Sequence, residues 1–164
     1  MRNSKVKAIA LGGLLAAVAV VIMCLGTFVS VATYICPVMC CIVQFVVLRY
    51  CGGRIAWTWY VAVSLLCLLL APDKEAAMFF LATGYYPLLK PKIERKKLPI
   101  VWKLLCFNGS ISTVYLVMIY ILGMQYLIQE NMEFGIWGLA LLLLLGNITF
   151  LLLDRVLTML EKRK

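Results

Sequence analysis

The sequence predicts an all-α polytopic membrane protein, a bundle of six transmembrane helices with both termini in the cytoplasm. Hydrophobic residues make up 65% of the 164 residues, charged residues only 14%, and the mean hydropathy is +1.01. The apolar residues form long runs, and the basic residues cluster between alternate runs. A soluble domain of this length has too little interior for so many apolar side chains, so the bilayer is the expected solvent.

The apolar runs define the six segments in order. A span needs about 20 apolar residues, with roughly 17–25 tolerated. The first run follows a basic start and continues past the length of a signal-peptide core, so it is predicted to be retained as a span. The second and fourth runs are short, and the second is expected to be tilted or partly re-entrant. The connections are short, so one integral membrane domain over residues 1–164 is predicted, with spans at residues 8–28, 38–48, 55–71, 76–89, 100–128 and 136–153.

The distribution of Lys and Arg predicts the orientation. With both termini inside, the cytoplasmic segments hold fifteen of the sixteen basic residues, and the outer loops hold only Lys74. An excess of basic residues marks the cytoplasmic side. This asymmetry accounts for the net charge of +9 without a nucleic-acid partner. The densest cluster, Lys90–Lys97, is either a topology signal alone or also a contact for anionic membrane lipid.

A small charged segment, Asp73-Lys74-Glu75, begins the fourth run on the predicted outer side. Asp73 is expected to cap that helix. Lys74 either points over an outer mouth toward a solute or is a solvent-exposed charge. The residues predicted to line a substrate-binding mouth, with a solvated rim as the alternative, are Tyr34, Asp73, Lys74, Glu75 and Gln125.

Small residues form a repeating face on the first span. In lipid, small residues four apart allow helix backbones to approach closely. This face is predicted to dock a partner helix, with packing inside the protein's own bundle as the alternative. It consists of Ala8, Gly12, Gly13, Ala16 and Ala17.

Two amides lie inside the fifth and sixth spans. Asn108 and Asn147 fall at similar depths when counted inward from the basic ends. An unpaired amide in hydrocarbon is costly, so these side chains are expected to face the bundle interior, and hydrogen bonding between the helices is favoured.

Catalytic and metal-binding patterns are missing from the sequence, so no enzyme, no cofactor and no metal site are predicted. The chain has no His, no G-x-S-x-G elbow and no phosphate-binding loop. The seven cysteines lie mostly in apolar runs. The group Cys36, Cys40 and Cys41 lacks the paired C-x-x-C spacing of zinc sites.

With these features the chain resembles the substrate-binding (S) components of energy-coupling factor transporters. The small size, the six predicted spans, the Ala8-xxx-Gly12-xxx-Ala16 face and the polar loop Thr27–Pro37 are similar to that group. So are the stretches Pro72–Ala76, Gly84–Pro87 and Ile93–Arg95.

The resemblance implies a subunit of the bacterial inner or plasma membrane. It would bind a small solute, vitamin-like or a metal ion, and would dock a transmembrane coupling subunit and ATPase subunits. Two alternatives remain open at this point. One is a non-transport interaction or assembly protein, and the other is a self-sufficient small channel or secondary transporter.

Overall fold

The computed structural model describes residues 2–26, 32–120, 123 and 135–162. These residues form helices and contain no strand. Five of the helices are long and apolar enough to cross a membrane, which agrees with a multi-pass membrane protein. They contain the segments Val6–Leu25, Thr33–Cys51, Gly53–Leu70, Pro99–Val117 and Leu143–Lys162.

The chain divides into two compact units, which are called the N-terminal unit (Met1–Lys97) and the C-terminal unit (Leu98–Lys164). The prediction of one domain stays a prediction. The helices of the N-terminal unit are α1 (Arg2–Leu25), α2 (Ala32–Cys51), α3 (Gly53–Leu70), α4 (Lys74–Thr83) and α5 (Tyr86–Ile93). Those of the C-terminal unit are α6 (Pro99–Tyr120) and α7 (Gly135–Lys162).

Helix α2 is longer than predicted. It has 20 residues instead of the short segment 38–48, so it is long and apolar enough to cross a membrane. The polar stretch predicted as a loop up to Pro37 belongs to it from Ala32 onward, and residues 27–31 lie outside the described part. Pro37 removes one backbone N–H in the second turn, but the helix continues through it.

Helices α2 and α3 form a hairpin around a single residue, Gly52. Its φ of 88° is in the left-handed region, where a side chain would be strained. The hairpin brings the basic ends of both helices together, at Arg49 and Arg54.

The predicted fourth span, 76–89, is two short helices rather than one. Helix α4 ends at Thr83, and α5 begins at Tyr86. Pro87, near the start of α5, has no N–H to continue the helical hydrogen bonding. Gly84 and Tyr85 keep right-handed helical dihedrals, so the chain bends here without reversing.

The α4–α5 segment is buried on most of its surface. Helices α2 and α3 both pack against both parts of it. A helix that is apolar all round belongs in an interior. The buried side chains are those of Ala76, Ala77, Met78, Phe80, Ala82, Thr83, Tyr86, Pro87, Leu88, Lys90 and Ile93.

The C-terminal unit is held together by paired side chains at successive levels of α6 and α7. Lys103 Nζ lies 2.8 Å from Asp154 Oδ2. One turn further along α6, the rings of Phe107 and Phe150 stack with centroids 4.5 Å apart. Helix α7 extends past the predicted end of the sixth span at residue 153, to Lys162.

The predicted pairing of the two amides is confirmed. Asn108 Nδ2 donates to Asn147 Oδ1 at 3.0 Å, and Asn147 Nδ2 donates to Asn108 Oδ1 at 3.2 Å. Each Nδ2 also donates to a carbonyl of its own helix, Leu104 O at 3.0 Å and Leu143 O at 2.8 Å. Every amide hydrogen therefore has an acceptor in the protein.

Candidate functional site

The charged segment Asp73-Lys74-Glu75 forms the N-cap and first two residues of α4, next to the start of α2. Asp73 is the N-cap of α4, as predicted: its Oδ1 accepts from Ala76 N at 3.1 Å. Its Oδ2 accepts from Thr33 Oγ1 at 2.7 Å. The carboxylate satisfies an orphan N–H of α4 and connects that helix to α2.

Lys74 caps the C-terminal end of the preceding helix, α3. Its Nζ donates to Leu68 O at 2.8 Å and to Ala71 O at 2.9 Å, two carbonyls in the last turn of α3 and just beyond it. Helix ends leave such carbonyls unsatisfied, and a cation there also interacts favourably with the helix dipole. Asp73 and Lys74 are adjacent and carry opposite charges. Asp73 stabilises the start of α4, and Lys74 stabilises the end of α3.

Glu75 completes a cluster with α2. The Tyr34 hydroxyl donates to Glu75 Oε1 at 3.5 Å, and the Tyr34 ring meets Phe79 edge to face with centroids 5.7 Å apart. Tyr34 is 39% exposed, so the cluster lies at the surface of the unit.

The structure therefore brings together four of the five predicted mouth residues, and Gln125 lies outside the described part. Contact between these residues and a solute stays a prediction. In the structure each of the four makes a protein contact.

The other end of the N-terminal unit is basic. Cys51 Sγ contacts Ala8 O at 3.2 Å, which places the start of α1 beside the end of α2. Lys90 is only 2% exposed and lies 3.7 Å from Glu94, while Lys92 and 95–97 are exposed. The exposed basic groups of Lys92, Arg95 and Lys97 make this end positive, which suits contact with anionic groups.

The small face of α1 is divided between two environments. Gly12 is buried against α3: its carbonyl accepts from Trp59 Nε1 at 3.0 Å, and an added Cβ would meet Ile55 at 3.8 Å. Ala8 and Ala16 are half-buried. This packing inside the protein's own bundle is the alternative that the sequence left open for Gly12.

Gly13 and Ala17, in contrast, are exposed on α1. An added Cβ at Gly13 would meet nothing within 4 Å. Docking of a partner helix on these two residues stays a prediction, because a small-residue stripe permits close approach but does not by itself identify a partner.

Two buried polar side chains of the N-terminal unit were not predicted from the sequence. Gln44 is 0% exposed, and neither its Nε2 nor its Oε1 has a hydrogen-bond partner. Ser64 is 3% exposed, and its hydroxyl interacts with that of Tyr60. The sequence feature that could have indicated Gln44 was its position as the one amide in the apolar run 38–48.

The seven cysteines are free, and four of them are buried. Cys40 Sγ contacts Ala19 O at 3.5 Å, and Cys41 Sγ contacts Thr83 Oγ1 at 3.7 Å, so both thiols join neighbouring helices. Within the described ranges, no three Cys, Asp or Glu side chains converge as metal ligands would.

A scan against protein-family models found no match to this chain, and searches of curated proteins and of solved structures found none either.

Proposed function

We propose that this protein is the substrate-capture subunit of an energy-coupling-factor-type importer in a bacterial inner or plasma membrane. It binds a small solute, vitamin-like or a metal ion, from outside and passes it inward. It acts together with a transmembrane coupling subunit and ATPase subunits supplied by other chains. It is not itself an enzyme.

The observation that supports this proposal best is the contrast between the two ends of the N-terminal unit. One end has the half-exposed Tyr34 and the charged turn around Asp73, where the polar groups of three helices meet. The other end has the exposed basic cluster at 95–97. A capture subunit needs a polar surface facing the solute and a positively charged cytoplasmic surface.

The proposal includes six membrane crossings. Five are the long apolar helices, and α4 and α5 together form one more, the fourth in chain order. The pair extends over Lys74–Ile93, about 30 Å at the rise of a helix, which is the thickness of the hydrocarbon core. This connects the charged turn to the basic cluster and returns both termini to the cytoplasm.

Cysteine labelling tests this topology. In a chain whose own accessible cysteines are replaced, a membrane-impermeant maleimide added outside is expected to label Pro72→Cys and to miss Lys96→Cys. Opening the cells is expected to make position 96 reactive. Labelling of position 96 in intact cells would overturn the orientation and the proposed function with it.

Purification from native membranes in mild detergent tests the function directly. Mass spectrometry is expected to identify a coupling subunit, two ATPase chains or two copies of one, and a bound small molecule. Recovery of an unrelated membrane complex without ATPases would contradict the proposal.

One observation favours the assembly protein as a second candidate. Asp73 and Lys74 are engaged with helix ends, as in a turn that serves stability alone. If the purified chain holds no small molecule but still recovers a fixed partner, the assembly function is the better account.

A further inference from the structure

The amide of Gln44 is the least satisfied polar group among the described residues. Its two N–H groups and its carbonyl oxygen are fully buried and have no partner in the protein. Leaving a buried donor or acceptor unpaired is unfavourable, because the group has lost its hydrogen bonds to water. The Asn108–Asn147 pair shows the contrasting case, because there each amide hydrogen has an acceptor.

Gln44 faces the middle of the N-terminal unit. On α2 it lies between the direction of Cys40, which contacts α1, and that of Cys41, which contacts Thr83 at the end of α4. The amide therefore lies on the side of α2 that faces α1 and α4. It cannot turn to water or to lipid headgroups without leaving the core.

Ser64 lies at a neighbouring depth on α3. Counted from the hairpin residue Gly52, Gln44 is roughly 12 Å along α2 and Ser64 roughly 18 Å along α3, which is about one helical turn apart. The Tyr60 hydroxyl donates to Leu81 O at 2.6 Å and also interacts with the Ser64 hydroxyl. The amide of Gln44 is therefore the group with no partner in this part of the unit.

The surroundings define the chemistry of a guest. The fully buried side chains of the same unit include Val47, Val63 and Phe80, so its interior is largely apolar. The basic and acidic groups of the unit lie toward its two ends, with Lys90 paired to Glu94. A charged guest would be expensive in such an interior, whereas a neutral group with a donor beside an acceptor would match a carboxamide edge.

We propose that Gln44, with Ser64, forms an internal hydrogen-bonding site for a small uncharged group that presents a donor and an acceptor side by side. The amide edge of a neutral solute and an ordered water molecule share this chemistry. The inference rests on the proposed function and deepens it. It locates solute recognition beneath the charged turn, in the centre of the N-terminal unit, and it favours a neutral solute over a metal ion.

Gln44→Met tests the site, because Met has a similar length and no amide. If the amide had no guest, removing an unsatisfied polar group would leave the melting temperature unchanged or raise it. If a guest binds there, the substitution is expected to lower the melting temperature by several degrees. Ser64→Ala is expected to act in the same direction with a smaller effect.

Native mass spectrometry of the full chain in detergent shows whether the guest at Gln44 is a small solute or an ordered water molecule. A small-molecule adduct that is present in the wild type and lost in Gln44→Met supports a solute. A destabilised Gln44→Met with no adduct in either protein supports ordered water.

Equal or greater stability of Gln44→Met, with no adduct on the wild type or with an adduct retained by the variant, overturns the proposal. Should Gln44→Met fail to insert, Gln44→Leu also removes the amide, and the same outcomes apply. Loss of the partner chains in purification would instead count against the importer function, without bearing on Gln44.

Discussion

Asn108 and Asn147 exchange two hydrogen bonds across α6 and α7, each donating its amide to the other's carbonyl oxygen. Replacing either one by Leu leaves the other with an unsatisfied donor and acceptor. We expect each single variant to lose about 1–2 kcal/mol of unfolding free energy. The double variant Asn108→Leu/Asn147→Leu is expected to lose less than the sum, with a coupling of about 1 kcal/mol. Additive losses would show that the pair contributes no joint stability.

Lys103 and Asp154 form the charged pair of the same unit. Lys103→Met leaves the Asp154 carboxylate, 16% exposed, without its cation. We expect a loss of about 3 kcal/mol in unfolding free energy, the low end for a broken buried pair because Asp154 retains some solvent contact. The control Lys103→Met/Asp154→Leu is expected to recover most of it. A double variant as unstable as the single one would contradict this account.

Gly12 and Gly13 are adjacent on α1 but differ in surroundings, which makes them a matched pair. Gly12→Leu would force side-chain atoms into Ile55 and Trp59, and we expect a loss of about 1–3 kcal/mol in unfolding free energy. Gly13→Leu is expected to change stability by less than about 0.5 kcal/mol. If α1 docks a coupling subunit, Gly13→Leu is nevertheless expected to reduce its copurification. Normal recovery of partners by both folded variants would exclude docking on this face.

Lys74 is the residue for which stability and solute binding can be separated. Lys74→Ala removes the donor to Leu68 O and Ala71 O, and we expect a loss of about 1 kcal/mol in unfolding free energy. If Lys74 also contacts the solute, we expect Lys74→Ala to weaken solute binding by about 1.5–3 kcal/mol, the scale of a hydrogen bond to a charged group. Unchanged solute affinity in the folded variant would show that Lys74 stabilises the end of α3 and does not contact the solute.

Gly84 allows the bend between α4 and α5 to pack closely. A Cβ there would lie 2.7 Å from Phe80 O and 2.9 Å from Tyr60 Cε2. We expect Gly84→Ala to lower the unfolding free energy by about 1–3 kcal/mol. Gly109→Ala is the control, because a Cβ at that position of α6 meets nothing within 4 Å and alanine favours the helix. Equal stability of the two variants would contradict the close approach.

Much of the fold could be predicted from hydropathy, because most crossings are long apolar runs bounded by charge. The third segment was predicted at 55–71 and is found at Gly53–Leu70. Prediction was wrong where a polar or proline-containing turn is helical, as at Ala32–Pro37. At the other end of the chain, α7 continues as a helix beyond the predicted span end at residue 153. Where a helix ends depends on capping and tertiary contacts that a hydropathy window does not contain.

The candidate site could be predicted only in part. The capping role of Asp73 follows from residue type and position, and the structure confirms it. The Asn108–Asn147 pair could be predicted because an amide in lipid needs a partner at the same depth. Gln44 could not be identified as unpaired, because whether an amide finds a partner depends on which helices surround it.

The bend at Gly84–Tyr85 has a consequence for biogenesis. Under the six-crossing proposal, the Lys74–Ile93 segment crosses the bilayer as two short helices with charged residues near both ends. Its favourable contacts come from α2 and α3 rather than from lipid. The segment is therefore expected to insert after the α2–α3 hairpin is in place, and to remain outside the bilayer when synthesised alone.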